Sequence, residues 1–284
     1  MAPVWLITGA SKGFGFELAK KALDAGHNVI GTIRNPAANA EAVAAIQSKG
    51  GKVIELELSD PQATLHAKIR DAEKIFGRID ILVNNAGYSG IYMLEDVTEK
   101  EVTDLMATNL YGPIFATQAV IPGMRERKSG LIINVSSVMG LTSMPGGSIY
   151  SATKFAVEAI SESLVKEVAP FNIDVLCVEP GLFYTSILER ATIRMSEPYQ
   201  NTEAAAVINM MSNVQKAHAS DPVKAVQRIF EYATGQGEAG ALKGKTNRLM
   251  LGPDCIQAVE QKIAVLQSDL ELSKPIGITT RFDS

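Results

Sequence analysis

Val4-Trp5-Leu6-Ile7-Thr8-Gly9-Ala10-Ser11-Lys12-Gly13-Phe14-Gly15 is the stretch whose reading decides the fold. A short apolar run ends in a turn with three glycines and passes directly into helical sequence, Gly15–Ala25. That order reads as strand, turn, helix. Glycine reaches positive φ and lets a ligand approach the backbone closely. The helix that follows offers unpaired N–H groups and a positive dipole end, so the turn suits the pyrophosphate of a dinucleotide.

Working outward, apolar β-branched runs recur at Val4–Thr8, Asn28–Ile33, Lys52–Leu58, Ile79–Asn84, Gly130–Ser136, Asp174–Glu179 and Asn247–Leu251. Helical stretches lie between and after them: Ala37–Lys49, Pro61–Phe76, Glu99–Arg127, Ser151–Ala169, Asp221–Ala233 and Asp254–Glu271. Alternation of this kind predicts repeated βαβ units in one domain, residues 1–284, whose parallel sheet is covered on both faces. Leu182 to His218 breaks the pattern, with Met195, Met210 and Met211 on weakly amphipathic pieces and no strand between them. It reads as an insertion, either an ordinary excursion packed on the body or a lid. The next helix starts at Ser220 or Asp221 as N-cap, with Pro222 in the first turn.

The composition is globular, with 46% hydrophobic and 20% charged residues among 284. A net charge of −4, without a block of like charge, argues against nucleic acid or an anionic membrane as the main partner. No apolar run is long enough to span a membrane, and polar Thr8 and Gly9 interrupt the N-terminus before a signal peptide forms. The 2 cysteines, Cys177 and Cys255, match neither a disulfide framework nor a metal motif, which favours a reducing, cytoplasmic setting and no metal.

The second strand ends Gly31-Thr32-Ile33-Arg34, without the carboxylate that would accept from a ribose 2′-OH. Arg34 can instead grip a 2′-phosphate bidentately, and Lys12 adds a second cation, so NADP(H) is expected over NAD(H). Tyr150-Ser151-Ala152-Thr153-Lys154 opens a helix and puts Tyr150 and Lys154 on one face. A cation there lowers the phenol pKa from its usual value near 10. Ser136-Ser137 closes the fifth strand at the carboxyl edge, where open α/β sheets bind ligands. A hydroxyl there polarises a carbonyl while Tyr150 supplies the proton.

Together these motifs resemble the short-chain dehydrogenase/reductase family in its single-domain form with a TGxxxGxG loop, over nearly the whole chain. Asn84-Asn85-Ala86-Gly87 and Asn109 stand in the family's order between the loop and the Ser137, Tyr150, Lys154 set. The resemblance implies an α/β, Rossmann-like, doubly wound fold: a seven-stranded parallel sheet, helices on both faces and a small helical substrate lid at about 182–218. It implies that Thr8, Gly9, Ser11, Lys12, Gly13, Phe14 and Gly15 cradle the cofactor, and that Asn85, Ala86 and Gly87 line its adenosine side, Asn84 bracing the sheet. Asn109 would bend its helix and hold a water linking Lys154 to solvent. Pro180, Gly181, Phe183 and Thr185 match the nicotinamide-side turn. Leu56-Glu57-Leu58 departs from the family's usual Leu-Asp-Val, which puts the adenine contact of Glu57 and Leu58 in question.

Met139, Leu141, Met144, Leu182 and Phe183 predict an apolar pocket for a hydrophobic ketone or alcohol beside Ser137 and Tyr150, while Arg190 and Arg194 leave an acidic substrate open. The long C-terminal segment resembles longer-tailed relatives acting on steroids, retinoids or fungal-type secondary metabolites, and the family implies a homodimer or homotetramer. The expected activity is NADP(H)-dependent carbonyl reduction or alcohol oxidation. The alternative is a dinucleotide-binding regulator or sensor without turnover, against which the complete Ser137, Tyr150, Lys154 set argues. Sugar-nucleotide epimerase or dehydratase chemistry is disfavoured by the loop spacing and the small C-terminal part.

Overall fold

The computed structural model describes residues 2–185, 192–212 and 219–282. Seven parallel strands form the main sheet, in the order β3-β2-β1-β4-β6-β7-β9. They are β1 Val4–Ile7, β2 Asn28–Ile33, β3 Lys52–Glu55, β4 Ile81–Asn84, β6 Gly130–Val135, β7 Ile173–Pro180 and β9 Arg248–Leu251. The apolar runs that suggested strands form them because both faces are covered. Every residue of β1 is buried, and Trp5, Leu6 and Ile7 have no exposure at all. One face packs Trp5, Val29 and Val178 against α1 Gly13–Asp24, α2 Ala40–Ser48 and α8 Pro222–Thr234 through Leu18, Ile46, Ile229 and Phe230. The other packs Leu6, Leu82 and Ile132 against α3 Gln62–Phe76, α5 Gly112–Arg127 and α6 Ser148–Val168. Each large apolar side chain buried this way stabilises the fold by about 1.5–3 kcal/mol.

Several boundaries differ from those read in the sequence. The third strand stops at Glu55, paired with Ile33 at the end of β2. Leu56 and Leu58 remain buried, but outside the sheet. The stretch Glu99–Arg127 is three pieces rather than one helix. α4 Glu99–Met106 is held by a capping box between Thr98 and Glu101. A π-helical turn over Ala107–Tyr111 then leads into α5. Such turns displace the helix register and concentrate at functional sites.

The insertion is also not free of strands. β8 Thr192–Arg194 pairs in parallel with β5 Gly90–Tyr92 to make a second, two-stranded sheet. After it comes α7 Glu203–Ser212, whose Ile208 packs with Ile91 and Met93 in a small apolar cluster that also takes Met195. Met210, in contrast, is largely exposed. The remainder of the expected lid, with Arg190, lies outside the described residues. Asp221, rather than Ser220, caps α8 by accepting from Val223 N at 2.8 Å. Among the described residues, no helix is long and apolar enough to cross a membrane. After the short α9 Gly237–Gly240 and strand β9, α10 Pro253–Gly277 runs well beyond the body, burying only Cys255 and Val259.

Candidate active site

At the carboxyl edge of β1 the chain turns sharply at Gly9, with φ +69°, and again at Gly13, with φ +56°. A Cβ on Gly9 would stand 2.9 Å from Ala86 Cα, and one on Gly15 would stand 2.5 Å from the Gly9 carbonyl oxygen. Side chains are excluded where the loop presses against the segment after β4. At Gly13 the same test finds nothing nearer than Thr185 Cβ, at 3.9 Å. That residue therefore borders open space, and α1 begins beside it without any side-chain cap. Uncapped helix N–H groups facing an open, glycine-lined recess fit a pyrophosphate.

The loop is braced from behind. Thr8 Oγ1 donates to Val83 O and accepts from the backbone N–H of Asn85 and of Ala86, both at 3.0 Å. The Asn85 amide donates to Thr8 O at 2.8 Å and Gly9 O at 3.3 Å, so its side chain clamps the phosphate loop. Asn84 bonds Thr117 and Asn134 across the sheet, the bracing role expected of it. Facing Gly13 is the turn after β7. The Phe183 ring packs edge-on to Phe14 at 5.2 Å, and Leu182 N donates to Asp254 Oδ2 at 2.6 Å. Asp254 crowds the Gly181 Cα closely enough to exclude a side chain there. Sequence reading missed this anchor, which comes from the start of α10.

Arg34 follows β2 on the exposed side of the recess. Its Nε lies 3.7 Å from Glu57 Oε2, with the Arg34 side chain 76% exposed. Glu57 also accepts from Ser59 N, and Leu58 is buried beneath Gly112. The unusual Glu57 thus sits beside the cation expected to bind phosphate.

The polar set assembles on α6. Tyr150 is buried with the Ser137 side chain close enough to act on its phenol, and Ser137 Oγ accepts from Met139 N at 3.1 Å. Lys154, one turn along, donates from Nζ to Val135 O at 2.8 Å and lies 5.7 Å from the Tyr150 ring centroid. Asn109, in the π turn, holds the backbone of Tyr88 at both N and O and reaches Thr153 Oγ1. Its Oδ1 is also the nearest group to the outer face of Gly87, with Lys154 Nζ just beyond. Four distant segments therefore converge. Burial pushes the Tyr150 phenol up to about 12, with Ser137 opposing it. It pushes Lys154 down to about 8, opposed by Cys177 and Glu158. Burial is the larger cause at Tyr150, and what opposes it is Ser137 rather than Lys154.

Met139 and Met144 pack around Gly147, immediately before α6, and Leu182 is half-buried on the opposite turn. Arg194 is committed elsewhere: it pairs with Glu101 Oε2 at 2.7 Å and bonds Asp96 O. It ties the insertion to α4, which removes it from the groups that would receive an acidic substrate.

A family model described as short chain dehydrogenase matches residues 3–196. Oxidoreductase BOA17 of Botryotinia fuckeliana is 32% identical, the match covering 99% of this chain and 100% of that protein. A short-chain dehydrogenase from Streptomyces avermitilis superposes with a TM-score of 0.87 at 35% identity, covering 99% of each chain. The 3-ketoacyl-(acyl-carrier-protein) reductase of Brucella melitensis, complexed with NADH, has a TM-score of 0.71 at 25% identity, covering 89% of this chain and 97% of that one. With the sheet order, the glycine recess and these matches in agreement, the chain belongs to the short-chain dehydrogenase family of oxidoreductases.

Proposed function

We propose that this protein is an NADP(H)-dependent oxidoreductase that interconverts a hydrophobic ketone and its secondary alcohol, with Tyr150 as general acid and base. The observation that carries the reading is the gathering of Ser137, the buried Tyr150 and Lys154, one turn away, at the sheet edge that also carries the glycine recess. The dinucleotide, held by the Gly9–Gly15 loop, Arg34, Lys12 and the Pro180–Thr185 turn, supplies or accepts the hydride when bound. The protein's own groups handle the proton. With its pKa at about 12, Tyr150 keeps its proton at neutral pH and donates it to a carbonyl oxygen that Ser137 orients. In the reverse direction Tyr150, as the phenolate that the Lys154 cation stabilises, accepts the alcohol's proton.

Met139, Met144 and Leu182 favour a bulky apolar substrate, as does the commitment of Arg194 to Glu101. The insertion from Leu182 to His218 serves as the lid, seated by Ile208 on Ile91 and Met93. The chain works as a homodimer or homotetramer. A groove of about 180 Å³ between α5 and α6, and the exposed side chains of Tyr111, Phe155 and Ile160, offer an apolar face for a second copy. Free, buried thiols at Cys177 and Cys255 suit a reducing, cytoplasmic compartment.

The test is NADPH consumption against a panel of hydrophobic ketones, quinones and steroids, with Tyr150→Phe alongside. Turnover that vanishes in the variant while NADPH affinity persists is the expected result. Equal turnover in the two proteins refutes the mechanism. NADPH binding with no turnover across the panel favours a sensor.

A further inference from the structure

One turn beyond Lys154, along the same face of α6, lies a layer of charge that the reaction just described does not use. Glu158 from α6 is 5% exposed and Glu179 from β7 is fully buried. Both grip one guanidinium: Arg248 Nη1, from β9, lies 2.6 Å from Glu158 Oε2 and 2.5 Å from Glu179 Oε1. The second oxygens, Glu158 Oε1 and Glu179 Oε2, are buried without a hydrogen-bond partner among the described residues, as is Ser136 Oγ. Ser136 Oγ and Glu158 Oε1 border the same spot above Gly140. Cys177 completes the layer, offering its sulfur within 4.8 Å of a carboxylate oxygen from each glutamate. Those three groups have the spacing of metal ligands, but Arg248 already fills the cation's place between the carboxylates.

Two buried carboxylates facing one cation cannot both ionise without leaving a net negative charge in the core, so such pairs retain a proton and titrate as a unit. Glu158 is four residues along α6 from Lys154, on the same face. We propose that Glu158 and Glu179, bridged by Arg248, form a proton-sharing pair that sets the charge on Lys154 and so acts as a positioning element for Tyr150. The inference rests on the proposed role of Tyr150 and Lys154.

The other charged and titratable neighbours are few. They are Lys154 and Glu162 on α6, Cys177 on β7, Arg248 on β9, and Cys255 and Asp254 on α10. Glu162 reaches Arg248 only at 4.0 Å and is 65% exposed. Burial pushes the Cys177 thiol well above its ordinary value, so it stays neutral. Burial, and then Glu158, raise Glu179 to about 7, while Arg248 opposes the rise. When the pair loses its shared proton near neutrality, its new negative charge holds the proton on Lys154 to higher pH.

The experiment compares wild type, Glu158→Gln and Glu179→Gln, each nearly isosteric, by two readouts. One is the pH profile of kcat/KM. The other, independent of turnover, is the urea stability of the full chain between pH 5 and pH 8. Either glutamine removes the charge that supports the Lys154 cation, so the alkaline limb should move to lower pH by roughly one unit. In wild type, a Glu179 pKa raised above its unfolded value of 4.5 makes stability fall as pH rises toward 7. Glu179→Gln should lose that slope, and Glu158→Gln, which removes the second cause of the rise, should make it shallower. Limbs that coincide with wild type overturn the coupling to Lys154, and an unchanged stability slope overturns the shared proton. If the wild-type enzyme turns nothing over, the catalytic reading fails by itself, and the stability slope still decides whether the proton pair exists.

Discussion

In the proposed NADP(H) reading, cofactor choice rests on Arg34, and the size of its contribution follows from the geometry. Arg34 lies 3.7 Å from Glu57, and both side chains are substantially exposed, at 76% and 31%. An ion pair of that kind is worth about 0–1 kcal/mol once water screens it. A guanidinium bonded to a phosphate gains about 1.5–3 kcal/mol, because the bonds are charge-assisted and bidentate. A 2′-phosphate therefore wins Arg34 from Glu57, while Glu57 weakens the preference by holding the guanidinium and repelling the phosphate. Arg34→Ala should weaken NADPH binding by roughly 10–150-fold and leave NADH within about 2-fold. Glu57→Gln should raise the NADPH/NADH preference by about 2–5-fold, the equivalent of 0.5–1 kcal/mol. Both effects should shrink as salt rises, since the site is exposed.

Binding can be followed in the intact protein through Trp5, its single tryptophan, which is buried in β1, the strand that leads into the loop. NADPH and NADH both quench a nearby indole by energy transfer, so one signal serves both cofactors. Arg34→Ala losing affinity equally for the two would show that the guanidinium does not contact the 2′-phosphate. A ratio unmoved in Glu57→Gln would show that the Arg34–Glu57 pair does not compete with the ligand.

Two further substitutions test the scaffold. Gly15→Ala drives a methyl to within 2.5 Å of the Gly9 carbonyl and against the Asn85 amide, so dinucleotide affinity should fall at least 10-fold by fluorescence titration. His27 accepts from Trp5 Nε1 at 2.9 Å, and burial lowers its pKa from 6.5. A lowered histidine contributes stability above its unfolded pKa and loses it as pH falls through the folded one. The His27 contribution to urea stability should therefore fall as pH falls from about 7 to 5, opposite in sign to that of the glutamate pair, and it is read as the pH-dependent difference between wild type and His27→Gln.

The parts of the site legible in sequence were those whose chemistry is local. The glycine turn and the Tyr150–Lys154 spacing each lie within one strand–turn or one helix, and both are found where the motifs place them. Asn109 lies in the π turn, where the helix register shifts. What escaped reading depends on partners far along the chain. β5 and β8 are three residues each and pair across about a hundred residues, too short for periodicity to mark. β3 ends where its partner β2 ends, a limit set by the neighbour rather than by Leu56-Glu57-Leu58 itself. Asp254 and Arg248 act on turns and carboxylates that no local pattern connects to them. One signal was available: a glutamate at position 179, inside an otherwise apolar strand, needs a partner when buried.

That glutamate and Lys154 also oppose each other in pH, which explains why a core carries both. Raised to about 7, Glu179 costs the fold stability above that pH and relieves the cost as pH falls toward 4.5. Lowered to about 8, Lys154 costs stability below that pH and relieves it as pH rises toward 10.5. Between about 7 and 8 both burdens are present in full, so this layer destabilises the fold most where its charges are opposite and complete. Apolar side chains of similar volume would often hold such a core as well or better. Keeping a lysine and a glutamate pair there makes sense where the lysine's charge is needed at the neighbouring tyrosine. The stability profile of this layer and the pH profile of turnover are then two readings of the same protons.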